Sequence, residues 1–206
     1  MGDPDIIIER LKQIGGNVAY DIGGNVGEIA KILSHSFELV YSFEPAQESF
    51  VKLYNLSKGI QNIIPVPLAI SESQGEIELD VSSKSIRKGQ LVSGDYLESW
   101  GEKIGTRKVM STTIDEFIRS HPPPDFVKID VEGHEMKVIS GGFECIRVLR
   151  PRLFIEVHSN YLGDSIRKAL ASFYDFEIIY HTAYSPESPR KRNHYFMFSR
   201  SKGQTL

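Results

Sequence analysis

The 206 residues contain a single cysteine, Cys145, and a single tryptophan, Trp100. One thiol cannot close an internal disulfide, so no disulfide framework holds this chain together, and a reducing compartment suits it. Long apolar runs are missing as well. No stretch approaches the ~18 residues that a bilayer-spanning helix requires. The start, Met1-Gly-Asp-Pro-Asp5, has neither the basic region nor the apolar core of a secretory leader. Charge of one sign is also scarce: 24 lysines and arginines face 27 acids, a net charge of −3. Without a strong field, nothing in the overall charge draws the chain to nucleic acid or to an anionic membrane. The remainder, 40% hydrophobic and 25% charged, is the make-up of an ordinary globular domain. These exclusions predict one domain over residues 1–206, soluble and cytoplasmic, with no membrane span and no nucleic-acid partner. Oligomeric state stays open.

What the chain does have is a stretch, Val18 to Glu28, around which the rest can be arranged. A short apolar run (Val18 to Ile22, interrupted by Asp21) is closed by Gly23 and Gly24. After Gly27 the period changes to a helical one, with Ile29, Ala30, Ile32 and Leu33 sharing a face. A strand turning through glycines into a helix leaves backbone N–H groups facing one spot, and glycines let a ligand approach them closely. Val40-Tyr-Ser-Phe-Glu44 reads as a second strand ending in an acid. Roughly 20 residues separate loop and acid, the spacing at which a carboxylate reaches ribose hydroxyls. A dinucleotide site would carry a third glycine where Glu28 stands. Glu28 and Asp21 both sit badly beside phosphates, whereas Asp21 suits a cationic ammonium or sulfonium. That points to S-adenosylmethionine as cofactor, with Gly23, Asn25 and Gly27 in the binding loop. The plain alternative is a glycine-rich turn without a ligand.

Along the chain, Asp3-Pro4 predicts a short helix over about 4–14, ended by Gly15-Gly16. Residues 62–70 read as a strand despite Pro65 and Pro67, and 76–81 as another with Ile77, Leu79 and Val81 on one side. Residues 82–106 are irregular. They predict either a mobile linker or a loop covering a substrate, and Trp100 favours the second. Thr113-Ile-Asp-Glu116 has capping-box spacing, and His121-Pro-Pro-Pro124 stops that helix. Strands follow at 125–130, 151–158, 176–181 and 194–199, with a helix bent at Gly141-Gly142 and another capped by Asp164. Pro189-Arg-Lys-Arg192 reads as a solvated loop. Strands alternating with helices predict an α/β, Rossmann-like fold, a mostly parallel sheet with helices on both faces. The last two strands lack a helix between them and should pair antiparallel at one edge.

In such sheets ligands sit beyond the carboxyl ends of the strands. There the polar residues gather: Asp21, Glu44, Asp130, Glu132, Glu156 and His158. Strand period sets Lys128 with Asp130, and Glu156 with His158. A structural Lys128–Asp130 ion pair is one reading, since buried carboxylates need partners. Transfer of a methyl group to a hydroxyl also needs a base. His158 and His134 titrate in the useful range, with Glu132 and Glu156 as alternatives. The same group could hold a divalent ion, but its spacing matches no metal motif, so no metal is expected.

Several blocks together resemble the FkbM-type family of S-adenosylmethionine-dependent methyltransferases. They are Tyr-Asp-Ile-Gly-Gly-Asn-Val-Gly (20–27), Tyr-Ser-Phe-Glu-Pro (41–45), Leu-Ala-Ile-Ser (68–71) and Gly-Glu-Ile-Glu-Leu (75–79). Thr-Thr-Ile-Asp-Glu-Phe (112–117), Val-Lys-Ile-Asp-Val-Glu-Gly-His-Glu (127–135) and Pro-Arg-Leu-Phe-Ile-Glu-Val-His (151–158) complete them. The resemblance implies the seven-stranded class I methyltransferase sheet and O-methylation of a sugar or natural-product hydroxyl, a small-molecule acceptor. It also implies that Asp21, Gly23 and Asn25 contact the methionine part, Glu44 the ribose, and Ala69 and Ile70 the adenine. Asp130 would then lie beside the transferred methyl. Gly24 departs from the family's common alanine and should loosen the loop. A cofactor-binding module whose activity is lost or depends on a partner remains the rival reading; a nicotinamide oxidoreductase is disfavoured by Glu28.

Overall fold

A computed structural model describes residues 3–82, 103–180 and 195–201. The elements begin with α1 (Asp3–Lys12), β1 (Gly16–Ile22), α2 (Glu28–Leu33), β2 (Phe37–Phe43) and α3 (Gln47–Ser57). Next come β3 (Ile63–Val66), β4 (Ala69–Ile70), β5 (Gly75–Ser82), β6 (Lys103–Thr112), α4 (Ile114–Phe117) and β7 (Phe126–Ile129). Then follow α5 (Glu135–Gly141), α6 (Phe143–Leu149), β8 (Arg152–Val157), α7 (Asn160–Leu170), β9 (Tyr174–Tyr180) and β10 (Tyr195–Ser201).

Seven strands form one sheet in the order β3-β2-β1-β7-β8-β10-β9. The first five run parallel. The antiparallel pairing expected at the edge is there, but β10 is inserted between β8 and β9, so the reversed strand is the penultimate one. The order reverses between β1 and β7, which opens a crevice at their carboxyl ends.

Both faces of the sheet are covered, which is why its central strands are apolar almost without alternation. On one face Tyr20, Phe43, Ile129 and Ile155 pack with Ile114 and Phe117 of α4, Ile139 of α5, Ile146 of α6 and Ile166 of α7. On the other, Ala19, Val40, Phe126 and Phe154 meet Leu11 of α1, Leu33 of α2 and Leu53 of α3. Tyr20, Tyr41, Phe43 and Phe117 meet edge-to-face with centroids 4.9–5.6 Å apart, and His121 stacks on Phe117. Thr113 caps the helix as its spacing suggests, accepting a hydrogen bond from Glu116 N at 2.9 Å, while the Glu116 carboxylate pairs with Arg119.

Local expectations fail in three places. The strand expected over 62–70 is two strands in different sheets. Pro67 separates them, and Pro65 confines β3 to the sheet edge, where no donor is missed. β4 instead joins β5 and β6 in a three-stranded sheet. The ends of the expected irregular stretch 82–106 are strand: Ser82 closes β5 and Lys103 opens β6. Leu91, Tyr96, Leu97 and Trp100 lie outside the described residues, as do His181 and Pro189 to His194. Finally, Ser159 rather than Asp164 caps α7, its hydroxyl accepting from Leu162 N. Asp164 lies inside the helix, paired with Arg167.

The small sheet docks on α5 through Gly141, where an added Cβ would sit 1.9 Å from the Ser71 carbonyl oxygen. Backbone cannot yield as a side-chain tip can. Gly141→Ala should therefore cost about 1–3 kcal/mol through overpacking. A thermal unfolding midpoint unchanged from the wild type would show that the two sheets are not packed this tightly.

Candidate active site

The loop from Gly23 to Gly27 is wound by three left-handed residues, Gly23 (φ 80°), Asn25 (φ 49°) and Gly27 (φ 92°). Gly23 N and Gly24 N both donate to the Phe43 carbonyl at 3.0 and 2.9 Å, which fastens the loop across to β2. A Cβ at Gly23 would lie 1.8 Å from the Asp130 carbonyl oxygen, so this turn rests directly on the turn after β7. Gly24 is not loose. A Cβ there would meet Ser42 Oγ at 2.1 Å, so Gly24 makes room for the hydroxyl that donates to Asp21 Oδ2 at 2.8 Å.

Asp21 stands behind the loop rather than in front of it. It is fully buried, and Lys128 Nζ lies 3.3 Å from its Oδ1. The carboxylate expected to meet the cofactor's positive charge is engaged here by Lys128 and Ser42. Lys128, equally buried, also donates to the Gly23 carbonyl at 2.7 Å and stands 3.4 Å from Asp130 Oδ2. Burial disfavours its charge, but Asp130, Asp21 and Glu156 outweigh that and raise its pKa above the ordinary lysine value. Gly27 takes a structural place too, its Cα facing Leu53 where α2 meets α3.

A cleft opens in front of the loop. Its lining includes Gly23, Asn25, Glu44, Ala69, Ile70, Asp130 and Glu132, seven of the expected site residues. Ile22, Phe43, Pro45, Leu68, Leu79 and Val131 make the rest largely apolar, and His134 adds a further polar group. The mix of apolar wall with a few fixed polar groups is that of a small-ligand site. Glu44 is clamped in place. Its Oε2 accepts from Asn25 N at 2.9 Å and its Oε1 from Ala46 N at 2.7 Å, leaving further lone pairs toward the cavity. Burial pushes its carboxyl up to about 7 against those two hydrogen bonds.

The second turn, Asp130 to His134, carries Glu132 at φ 52° and Gly133 at φ 100°. A left-handed glutamate is strained unless its surroundings hold it there. Burial raises the pKa of Glu132, and that of Asp130 likewise, with Glu156 adding to the latter. His158 does not line the cavity; its side chain is 2% exposed, with Nε2 3.4 Å from Glu132, 3.7 Å from Asp130 and 3.9 Å from Glu156. Burial opposes its charge. The hydrogen bond to Glu135 and the charges of Glu132, Glu135 and Glu156 prevail and raise it to about 10. These charges favour a proton on His158, whereas a base at neutral pH has to be without one. His134 is displaced the other way, down to about 4 by burial, and its Nε2 meets Ser71 Oγ at 2.9 Å. Ligand atoms of Asp130, Glu156 and His158 fall within 4.8 Å of one another. A divalent ion could bridge such a spacing, and His158 would have to give up its proton to bind it.

Comparison with known proteins settles the family. The model of the methyltransferase FkbM domain matches residues 21–178. The chain belongs to the FkbM methyltransferase family. It is a methyltransferase, and its cofactor is S-adenosylmethionine. A hexuronic acid methyltransferase, AglP of Haloferax volcanii, is 28% identical over 174 residues, 82% of this chain and 68% of that one. Among solved structures, FkbM methyltransferase from Methylobacillus flagellatus KT superposes with a TM-score of 0.63 at 18% identity over 89% of this chain. This chain spans only 43% of that protein's length. Aeropyrum pernix fibrillarin, solved with S-adenosylmethionine bound, gives 0.54 at 13% identity over 95% of this chain and 74% of its own. These structures share the fold with this FkbM domain.

Glu44 supplies a test. A ribose hydroxyl bonds more strongly to an ionised carboxylate than to a neutral one, so cofactor binding should favour loss of any proton from Glu44. With its carboxyl raised to about 7, affinity should be flat above that pH and fall as pH drops through it, by up to about tenfold per unit. Calorimetry from pH 8 to 5.5 should show this dependence in the wild type and lose it in Glu44→Gln. The variant should also bind about tenfold or more weakly at pH 8. Identical curves for the two proteins would remove Glu44 from the ribose position.

Proposed function

We propose that this chain, read as one methyltransferase domain over residues 1–206, O-methylates a hydroxyl on a sugar or similar small molecule. The observation that carries this is Glu132, a carboxylate of raised pKa held at the cavity wall beside Asp130. Bound in the cavity, S-adenosylmethionine supplies a methyl group whose carbon–sulfur bond breaks, its electron pair going to sulfur, as an acceptor oxygen attacks. Asn25, Glu44, Ala69 and Ile70 would hold the cofactor, with the Gly23 turn bringing backbone close to it. Asp130 would orient the acceptor, and Glu132 would take the hydroxyl proton. A base works best when its pKa lies near the working pH, and burial has moved Glu132 toward that range.

The charge around the rim argues for a hydroxyl over a carboxylate as acceptor. Asp130, Glu132 and Glu156 already crowd one point, and a further anion beside them would be repelled. AglP, named for action on a hexuronic acid, supports a sugar acceptor. Among the described residues no helix is long and apolar enough to cross a membrane. The buried thiol of Cys145 is in keeping with a cytoplasmic setting.

Incubation with S-adenosylmethionine and a panel of hexoses, hexuronic acids and phenolic glycosides, read by mass spectrometry, tests the acceptor class. Glu132→Gln should lower turnover by roughly 10²–10⁴ while cofactor affinity stays nearly intact. In the wild type, turnover should rise with pH as Glu132 loses its proton, and chelation with EDTA should leave it unchanged. Cofactor binding with no product on any acceptor would favour a binding module instead. Activity abolished by EDTA would reassign Asp130, Glu156 and His158 to a metal.

A further inference from the structure

Glu135 has no part in the scheme above, yet it is the most completely buried acid of the turn. It opens α5, and its Oε1 collects three donors: Val131 N at 3.3 Å, Gly133 N at 3.1 Å and His158 Nδ1 at 3.0 Å. The two backbone bonds span the segment that contains left-handed Glu132 and Gly133, so they fix the conformation that carries Glu132 to the cavity. A glutamine could staple the turn equally well and would avoid the cost of an ionised group in the interior. The charge itself must therefore have a use, and the group that faces it is the imidazole of His158.

With Nδ1 held by Glu135, the opposite nitrogen, Nε2, points among Asp130 and Glu132 of the turn and Glu156 of β8. Lys128 and Asp21 stand on the far side of Asp130. Three carboxylates converge within 4 Å of one nitrogen, and only a cation there lets them remain ionised together. We propose that Glu135 is a positioning residue that keeps His158 protonated, so that the imidazolium holds Glu132 ionised and aimed at the acceptor. Glu135 then acts on the reaction at second hand, through His158, and never touches the acceptor or the cofactor. This rests on the reading of Glu132 as base.

The test uses the intact chain with 15N-labelled histidine, the His158 ring signals being identified by their loss in His158→Asn. In the wild type both ring nitrogens should remain protonated at pH 8, in accord with the raised pKa of His158. A neutral ring at pH 8 overturns the proposal, whatever any variant does. Glu135→Gln should let His158 titrate at least one pH unit lower, a tenfold change in proton affinity. It should also lower turnover by about 10- to 100-fold, the scale of losing an outer-shell partner.

The ascending limb of the pH–rate profile should move to higher pH, because the His158 cation that lowers the pKa of Glu132 acts on it more strongly than the Glu135 charge that raises it. His158→Asn should move the limb in the same direction, and the double variant should be no worse than the single ones. A plain turn staple would instead lower the unfolding midpoint and turnover with the limb unmoved and the two substitutions additive, which overturns the proposal. Full activity of Glu132→Gln would sink the base assignment alone, since the ring signals of His158 do not depend on turnover.

Discussion

Lys128 is the cation on which the site depends. Its ammonium group is inside the protein, between Asp21 at the end of β1 and Asp130 just past β7, and it donates to the Gly23 carbonyl. Those two strands flank the point where the sheet order reverses, so one buried charge ties together the two turns that build the cavity. The arrangement is costly in isolation, for two carboxylates and an ammonium have left water. It is tolerated because each has a fixed partner. Removing Lys128 would leave Asp21 with only Ser42 and would leave Asp130 to face Glu156 and Glu132 with His158 alone.

A second cation repeats the logic one strand over. His158 stands among Asp130, Glu132, Glu135 and Glu156 much as Lys128 stands between Asp21 and Asp130. The carboxyl ends of β1, β7 and β8 thus carry an excess of acid that is balanced from within the protein. Asp130, touched by both cations, is the residue the two networks share. Such a region suits an uncharged acceptor and a cationic cofactor, because each adds no further negative charge. It also shows how a half-buried glutamate can be kept in a left-handed turn, since Glu135 accepts hydrogen bonds from the backbone on either side of it.

Much of this was legible in the residue order. The change of period after Gly27, the acid ending β2 and the Lys128–Asp130 spacing put the glycine loop, Glu44 and the ion pair where they are found. Single-residue roles were less legible. Asp21 was read as facing a ligand, and Gly24 as a loosening; both are parts of the packing behind the loop. Glu135 carried no distinguishing signal, because an acid in the first turn of a helix is ordinary. Only the fold brings His158, 23 residues away, onto its oxygen.

The sequence by itself determined the elements, their alternation and the end of the sheet at which chemistry is gathered. Those properties are local: turn residues, apolar period and strand-end acids act over a few neighbours. Which carboxylate faces the cavity, which is neutralised, and which nitrogen keeps its proton were decided by the tertiary structure alone. Proton affinity depends on every charge within several ångströms and on the water excluded from among them. That environment is set by strands and helices far apart in the chain, so no spacing within one motif encodes it.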